Sequence, residues 1–96
     1  MNLQFEWDQN KSDRNLQKHG VSFEEAQTVF LDLNSQTYSD SIHSVEEPRY
    51  PRYIDIGRSS RGRLLLVVYT ERNTKIRIIS SRLCTNQEAK RYETNR

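Results

Sequence analysis

Apolar residues along this chain fall into short runs with two different periods. Two runs dominate: Leu64-Leu65-Leu66-Val67-Val68-Tyr69-Thr70 and Ile76-Arg77-Ile78-Ile79-Ser80-Ser81-Arg82. Each is rich in β-branched and aromatic residues, and only Glu71, Arg72, Asn73, Thr74 and Lys75 separate them. That pattern predicts a β-hairpin at the centre of a sheet. Upstream, Asn2 to Trp7 alternates Leu3, Phe5 and Trp7 with polar residues, which predicts a first strand with one apolar face. Gln36 to Ile42 and Tyr53 to Ser59, with Ile54 and Ile56 on one face, predict two more strands. Glu46, Glu47, Pro48 and Pro51 form the loop between them, because proline interrupts pairing.

The helical period occupies the remaining segments. Asp8 is placed to cap a helix from Gln9 to Lys18, polar nearly all round with Leu16 almost its only apolar contact, and Gly20 suits a left-handed C-terminal cap. Ser22-Phe23-Glu24-Glu25 is a capping box, and Val21 is placed to staple onto Ala26. Phe23, Ala26, Val29, Phe30 and Leu33 recur at helical spacing, which predicts the main amphipathic helix from about Phe23 to Leu31. Thr85-Asn86-Gln87-Glu88 is a second capping box, opening a helix through Lys90, Arg91 and Tyr92. The predicted order is β-α-α-β-β-β-β-α: an α+β domain with an antiparallel sheet and helices packed on one face.

A two-residue hairpin loop at Asn73-Thr74 would oppose Arg72 to Lys75, Thr70 to Arg77, Val68 to Ile79 and Leu66 to Ser81. Arg72, Lys75 and Arg77 then gather around Thr70 at one end of one face, a cluster of like charges that an anion would relieve. The same register sends Arg82 to the opposite face and the opposite end.

Composition narrows the class. Ninety-six residues, 33% hydrophobic and 29% charged, make one domain (1-96) with a thin core. No apolar run is long enough to span a bilayer and no apolar segment follows the N-terminus, so neither a membrane anchor nor secretion is expected. The single cysteine, Cys84, forms no internal disulfide and fits a reducing, cytoplasmic setting. The net charge of +2 hides a division. Residues 1–48 carry three bases against nine acids, and residues 49–96 carry twelve bases against four acids. Eleven of the fifteen bases are arginine, the side chain suited to bidentate phosphate contacts, so the basic half points to a polyanion such as RNA or DNA.

A family resemblance adds what composition and spacing do not. Trp7-Asp8, the run Lys18-His19-Gly20-Val21-Ser22-Phe23-Glu24-Glu25-Ala26, Tyr69-Thr70-Glu71-Arg72, Ile76-Arg77-Ile78-Ile79-Ser80, Arg82 and Tyr92-Glu93 resemble the BrnT toxins of bacterial type II toxin–antitoxin pairs, from about Phe5 to Glu93. The chain departs from the family pattern at a short insertion around Pro48 to Pro51, at Ser81 in place of a usual Ala, and at Ala89 in place of a usual Arg. The resemblance implies a RelE-like fold and a ribonuclease that arrests translation. It also implies a BrnA-like antitoxin partner, which neutralises the toxin and through which the complex reaches operator DNA.

RNA cleavage without a metal requires a base near a ribose 2′-hydroxyl, cations around the phosphate and an acid near the leaving oxygen. Arg72, Arg77 and Arg82 are the candidate cations, the first two as phosphate clamps. His43 or Lys18 is the proton-transfer group, and Tyr92 a base-stacking or acid residue. Lys75, Thr70, Trp7 and Arg91 complete the RNA contacts. His19 is the other histidine and so a second acid–base candidate by residue type, but at a helix end it also suits bonding to the last carbonyls. No cofactor is expected, and the scattered carboxylates give no metal cluster. The competing reading is a non-catalytic basic module that binds RNA or a protein through the same arginines and aromatic rings.

Overall fold

The computed structural model describes residues 3–40 and 49–95. Strand β1 (Gln4–Glu6) leads into helix α1 (Gln9–His19), then α2 (Phe23–Gln27), a 3-10 turn (Thr28–Leu31), and strands β2 (Gln36–Asp40), β3 (Arg52–Arg58), β4 (Leu64–Arg72) and β5 (Lys75–Leu83), with helix α3 (Asn86–Asn95) last. The strands form one sheet in the order β1-β5-β4-β3-β2. The expected order of elements and the α+β class both hold.

Capping fixes the helices as the sequence implies. Asp8 accepts from the Asn10 and Lys11 backbone N–H groups, and Gly20 takes a left-handed φ of 73°. The Ser22 side chain accepts from the Glu25 N–H, while Thr85 and Glu88 bond reciprocally at the start of α3. What anchors α1 is not Leu16, which is 49% exposed, but the buried polar pair Ser12 and Asn15. Asn15 accepts from the Ser81 N–H at 3.2 Å and donates to the Ser81 carbonyl at 2.8 Å, so its amide continues the ladder where β5 has no further strand beside it. Leu33, expected on the apolar face of the second helix, is fully exposed, because the α-helix tightens to a 3-10 turn that ends at Leu31.

Two hydrophobic clusters lie on opposite faces of the sheet. Val21, Phe23, Ala26 and Val29 pack against Leu65, Val67 and Ile78 on one face, flanked by Phe5, Trp7 and Phe30. The 3-10 turn approaches β3 so closely that a Cβ at Gly57 would sit 2.8 Å from a Val29 methyl. The alternate residues of β3 and β4, Ile56 and Leu66, pack with Tyr92 of α3 on the other face. So α3 does not join the first two helices: a helix on each face replaces the one-sided packing expected. The sheet is also not wholly antiparallel, because β1 runs parallel to β5 in the register Phe5 to Ile76.

The hairpin register is as predicted from Arg72↔Lys75 to Thr70↔Arg77 and then shifts. A bulge between Val68 and Tyr69 leaves Ile79 without a partner, so Val68 opposes Ser80, Val67 opposes Ser81 and Leu66 opposes Arg82. One inserted residue exchanges the faces of everything beyond it. Ser81 therefore lies on the α1 face, where it is 1% exposed and small enough for the helix to approach. Arg82 moves to the face that carries Arg72 and Arg77, correcting the expectation that it would emerge on the opposite one.

Candidate functional site

The sheet register lines up one charged rung across all five strands. Asp40 of β2 faces Arg52 of β3, Arg52 faces Thr70, Thr70 faces Arg77, and Arg77 faces Glu6 of β1. Opposed residues share a face, so two arginines flank a central threonine, with a carboxylate at each outer end. The Arg77 Nη1 donates to Glu6 Oε2 at 3.1 Å, with both side chains about one-third exposed. The next rung adds Arg72, Lys75 and Gln4. The Arg72 guanidinium stacks over the Tyr50 ring at 4.2 Å from its centroid.

Two buried polar atoms here, Thr70 Oγ1 and Arg72 Nε, have no hydrogen-bond partner among the described residues. Thr70 is 2% exposed. A buried polar group left unsatisfied costs about 1–3 kcal/mol, so their presence together beside Arg77 marks a place where an anion is favoured.

The other expected residues are distributed elsewhere. Arg82 shares the face but not the cluster: it donates to both carboxylate oxygens of Glu88 at 2.8 and 3.0 Å. The Arg82 guanidinium in turn holds the Glu88 carboxyl below its ordinary range, with burial opposing. Tyr92 is 2% exposed, and its hydroxyl donates to Asp32 Oδ2 at 2.7 Å, so it is a core ring and not a stacking platform. Trp7 packs edge-on to Phe23, and Arg91 lies 5.0 Å over the Tyr38 ring. Lys18 and His19 line a cleft between α1 and β5. His43 lies outside the described residues.

The resemblance leaves open whether Arg49-Tyr50 or Arg52-Tyr53 fills the family's arginine-aromatic position; the structure sets Arg52 in the rung and Tyr50 under Arg72, and only Glu6 escaped sequence reasoning. Glu6 did show as the polar side of the first strand, but nothing local says that β1 lies parallel to β5. Two other carboxylates are buried yet belong to the scaffold. Glu25 accepts from Arg63 and Ser59 and forms an ion pair with Arg61 at 3.5 Å, and the Arg63 bond foremost holds its carboxyl low. Among the described residues Asp55 accepts only from hydroxyls, Thr37 at 2.7 Å and Tyr69 at 2.9 Å, and burial raises its carboxyl above the ordinary value. Burial also pushes the Cys84 thiol up to about 11, which leaves little thiolate at neutral pH. Among the described residues no three His, Cys, Asp or Glu side chains gather as a metal site, and no helix is long and apolar enough to cross a membrane.

The model of the BrnT family, described as the ribonuclease toxin of a type II toxin–antitoxin system, matches residues 7–88. The crystal structure of the Brucella abortus ribonuclease toxin BrnT is similar in fold, with a TM-score of 0.66 at 18% identity, covering 88% of this chain and 100% of that one. Among curated protein sequences nothing matches.

Proposed function

Because this chain belongs to the BrnT family of ribonuclease toxins of type II toxin–antitoxin systems, we propose that it is a metal-independent endoribonuclease whose site is the rung around Thr70. The observation that carries the assignment is the pairing of two unsatisfied buried donors, Thr70 Oγ1 and Arg72 Nε, with the Arg77 guanidinium on one sheet face.

An RNA phosphate takes the place of the missing anion. Arg72 and Arg77 bind its non-bridging oxygens, and Lys75 holds the strand at the open end of the hairpin. Charge on those oxygens rises as the 2′-oxygen attacks phosphorus, so fixed guanidinium groups bind the transition state more tightly than the ground state. Glu6, held on Arg77, is the acceptor assigned to the 2′-hydroxyl proton. The 5′-oxygen leaves with a proton from water, and the products are a 2′,3′-cyclic phosphate and a free 5′-hydroxyl. Positive charge at phosphorus comes from arginine, so a metal has no required part.

The biological consequence of this reading is arrested translation in the cytoplasm, relieved by a BrnA-like antitoxin through which the pair reaches operator DNA. Purified protein incubated with single-stranded RNA in EDTA tests the chemistry. Cleavage is expected to persist there and to fall at least about 100-fold in Arg77→Ala, the loss typical of one oxyanion donor. Stoichiometric RNA binding with no cleavage would instead favour the non-catalytic module.

A further inference from the structure

A second cationic feature lies around the sheet edge from the rung. On α1, Lys11, Arg14 and Lys18 recur three and four residues apart and so share one side of the helix. With His19 they line a cleft of about 320 Å³ whose far wall is Ile79 and Ser80 of β5. All three cations are exposed, and none makes an ion pair or side-chain hydrogen bond among the described residues. The acidic N-terminal half of the chain thus devotes all three of its bases to this one cleft.

The wall opposite them is the bulge. Strand β1 covers the outer edge of β5 from Lys75 to Arg77, and Asn15 covers it at Ser81. Between those two covers stand Ile79, which has no partner in the hairpin register, and Ser80. The cleft is therefore an interruption in the protection of the edge, lined by uncompensated positive charge. Ser80 is three residues along β5 from Arg77, about 10 Å at strand spacing.

We propose that this cleft binds a backbone phosphate of the same RNA strand, a few nucleotides from the one cleaved at the Thr70 rung. The proposal rests on the ribonuclease reading and adds to it a grip that acts on substrate length. Lys11, Arg14 and Lys18 supply point charges and a fork for phosphate oxygens, and the Ser80 hydroxyl supplies a neutral donor. The cleft holds no reacting atom. It raises affinity for strands long enough to reach it and leaves the chemical step unchanged.

The test uses the intact chain and the triple variant Lys11→Gln/Arg14→Gln/Lys18→Gln, whose replaced side chains are solvent-exposed. Binding is read by fluorescence anisotropy with two 2′-O-methyl RNA oligonucleotides that cannot be cleaved: one of about ten nucleotides, the range of a single-strand site, and a trinucleotide. The variant is expected to lose about tenfold or more in affinity for the longer strand. Its dependence of log K on log salt should be shallower by about 0.7, the value for one single-strand phosphate neutralised. Trinucleotide binding should not change, and on cleavable RNA the double variant Lys11→Gln/Arg14→Gln, which leaves Lys18 in place, should raise KM while kcat stays. Unchanged affinity for the longer strand overturns the proposal, and so does an equal loss on the trinucleotide, which would move these cations into the cleavage site. Retained RNA binding with loss of an acidic protein partner also overturns it. If the wild type cuts no RNA but the variant still loses length-dependent affinity, the ribonuclease reading falls and the cleft stands. If the wild type cuts and the variant binds normally, the reverse holds.

Discussion

Two regions of this molecule gather arginines and a buried hydroxyl, and they differ in what stands at the centre. Around Glu25, the Ser59 hydroxyl, Arg63 and Arg61 converge on a carboxylate that is itself almost fully buried. Around Thr70, Arg52, Arg72, Arg77 and Lys75 share its sheet face by register, with Glu6 opposite Arg77 and Asp40 opposite Arg52 at the outer ends of the rung. The first region carries its own anion and is complete. The second has no carboxylate at its centre among the described residues, and two of its buried polar atoms, Thr70 Oγ1 and Arg72 Nε, have no partner there. Side-chain type does not separate structural arginine from functional arginine; the supply of partners does.

Replacing one arginine in each region is the strongest way to break that comparison. Arg77→Ala should reduce cleavage at least about 100-fold and shift stability little, because Glu6 is left about one-third exposed and can be solvated. Arg63→Ala should do the opposite. It strips Glu25 of its main partner at a site where the carboxylate is only 5% exposed, at a cost of about 2 kcal/mol once the partial exposure of Arg63 is discounted. Urea denaturation and a cleavage assay on both variants check this. If both variants lost activity in proportion to stability, the two regions would not be distinct in kind.

A finer cut within the rung uses Thr70→Val. Valine keeps the shape and removes a buried hydroxyl that has no partner among the described residues, so the folded protein should gain about 1 kcal/mol. Cleavage should fall about tenfold, the loss of one neutral donor to the phosphate. A variant that became more stable and less active would place Thr70 among residues retained for function at a cost to stability. Thermal melts and single-turnover rates measure the two effects separately.

How much of this was legible in the sequence depends on the range of the interaction. Caps are local, so Asp8, Ser22 with Glu25, and Thr85 with Glu88 were readable from spacing alone. So was the hairpin from Arg72 to Arg77, because the Asn73-Thr74 turn fixes the nearest pairs and Asn73 tolerates a φ of 57°. Beyond that point the chain offers Val68 opposite Ile79, an apolar pair that looks correct and is wrong. Nothing in Ile79-Ser80-Ser81 announces a bulge, and the contact that accompanies it is distant in sequence: Asn15 of α1 bonds the Ser81 backbone from across the fold. Three features depend on such long-range contacts: the parallel pairing of β1, the side taken by α3, and hence the company of Glu6 and Arg82. The candidate cluster survived because its core lies within four residues of the turn. Its outer members did not show.

Asp55 supplies the smallest prediction and the converse of the Thr70 rung, an anion with hydroxyl donors and no cation. It is 3% exposed, and burial raises its carboxyl although Thr37 and Tyr69 donate to it. A carboxyl whose folded value is raised contributes stability that is fully present below its unfolded value, near 3.8, and lost as the pH climbs through the folded value. Glu25 and Glu88 act in the other direction: their carboxyls are held low, so their contribution is present above about 4.5 and lost on acidification. Measuring Asp55→Asn beside the wild type cancels those shared groups. The urea midpoint of the wild type relative to the variant should therefore be highest at and below about pH 3.8 and decline as the pH rises from there through the folded value. The size of that decline reports how far burial raises the folded carboxyl above the unfolded one. A difference that stayed flat with pH would mean that Asp55 titrates alike in the folded and unfolded chains. Burial without a cation would then have no cost here, and the unsatisfied donors at Thr70 and Arg72 would no longer argue for an anion.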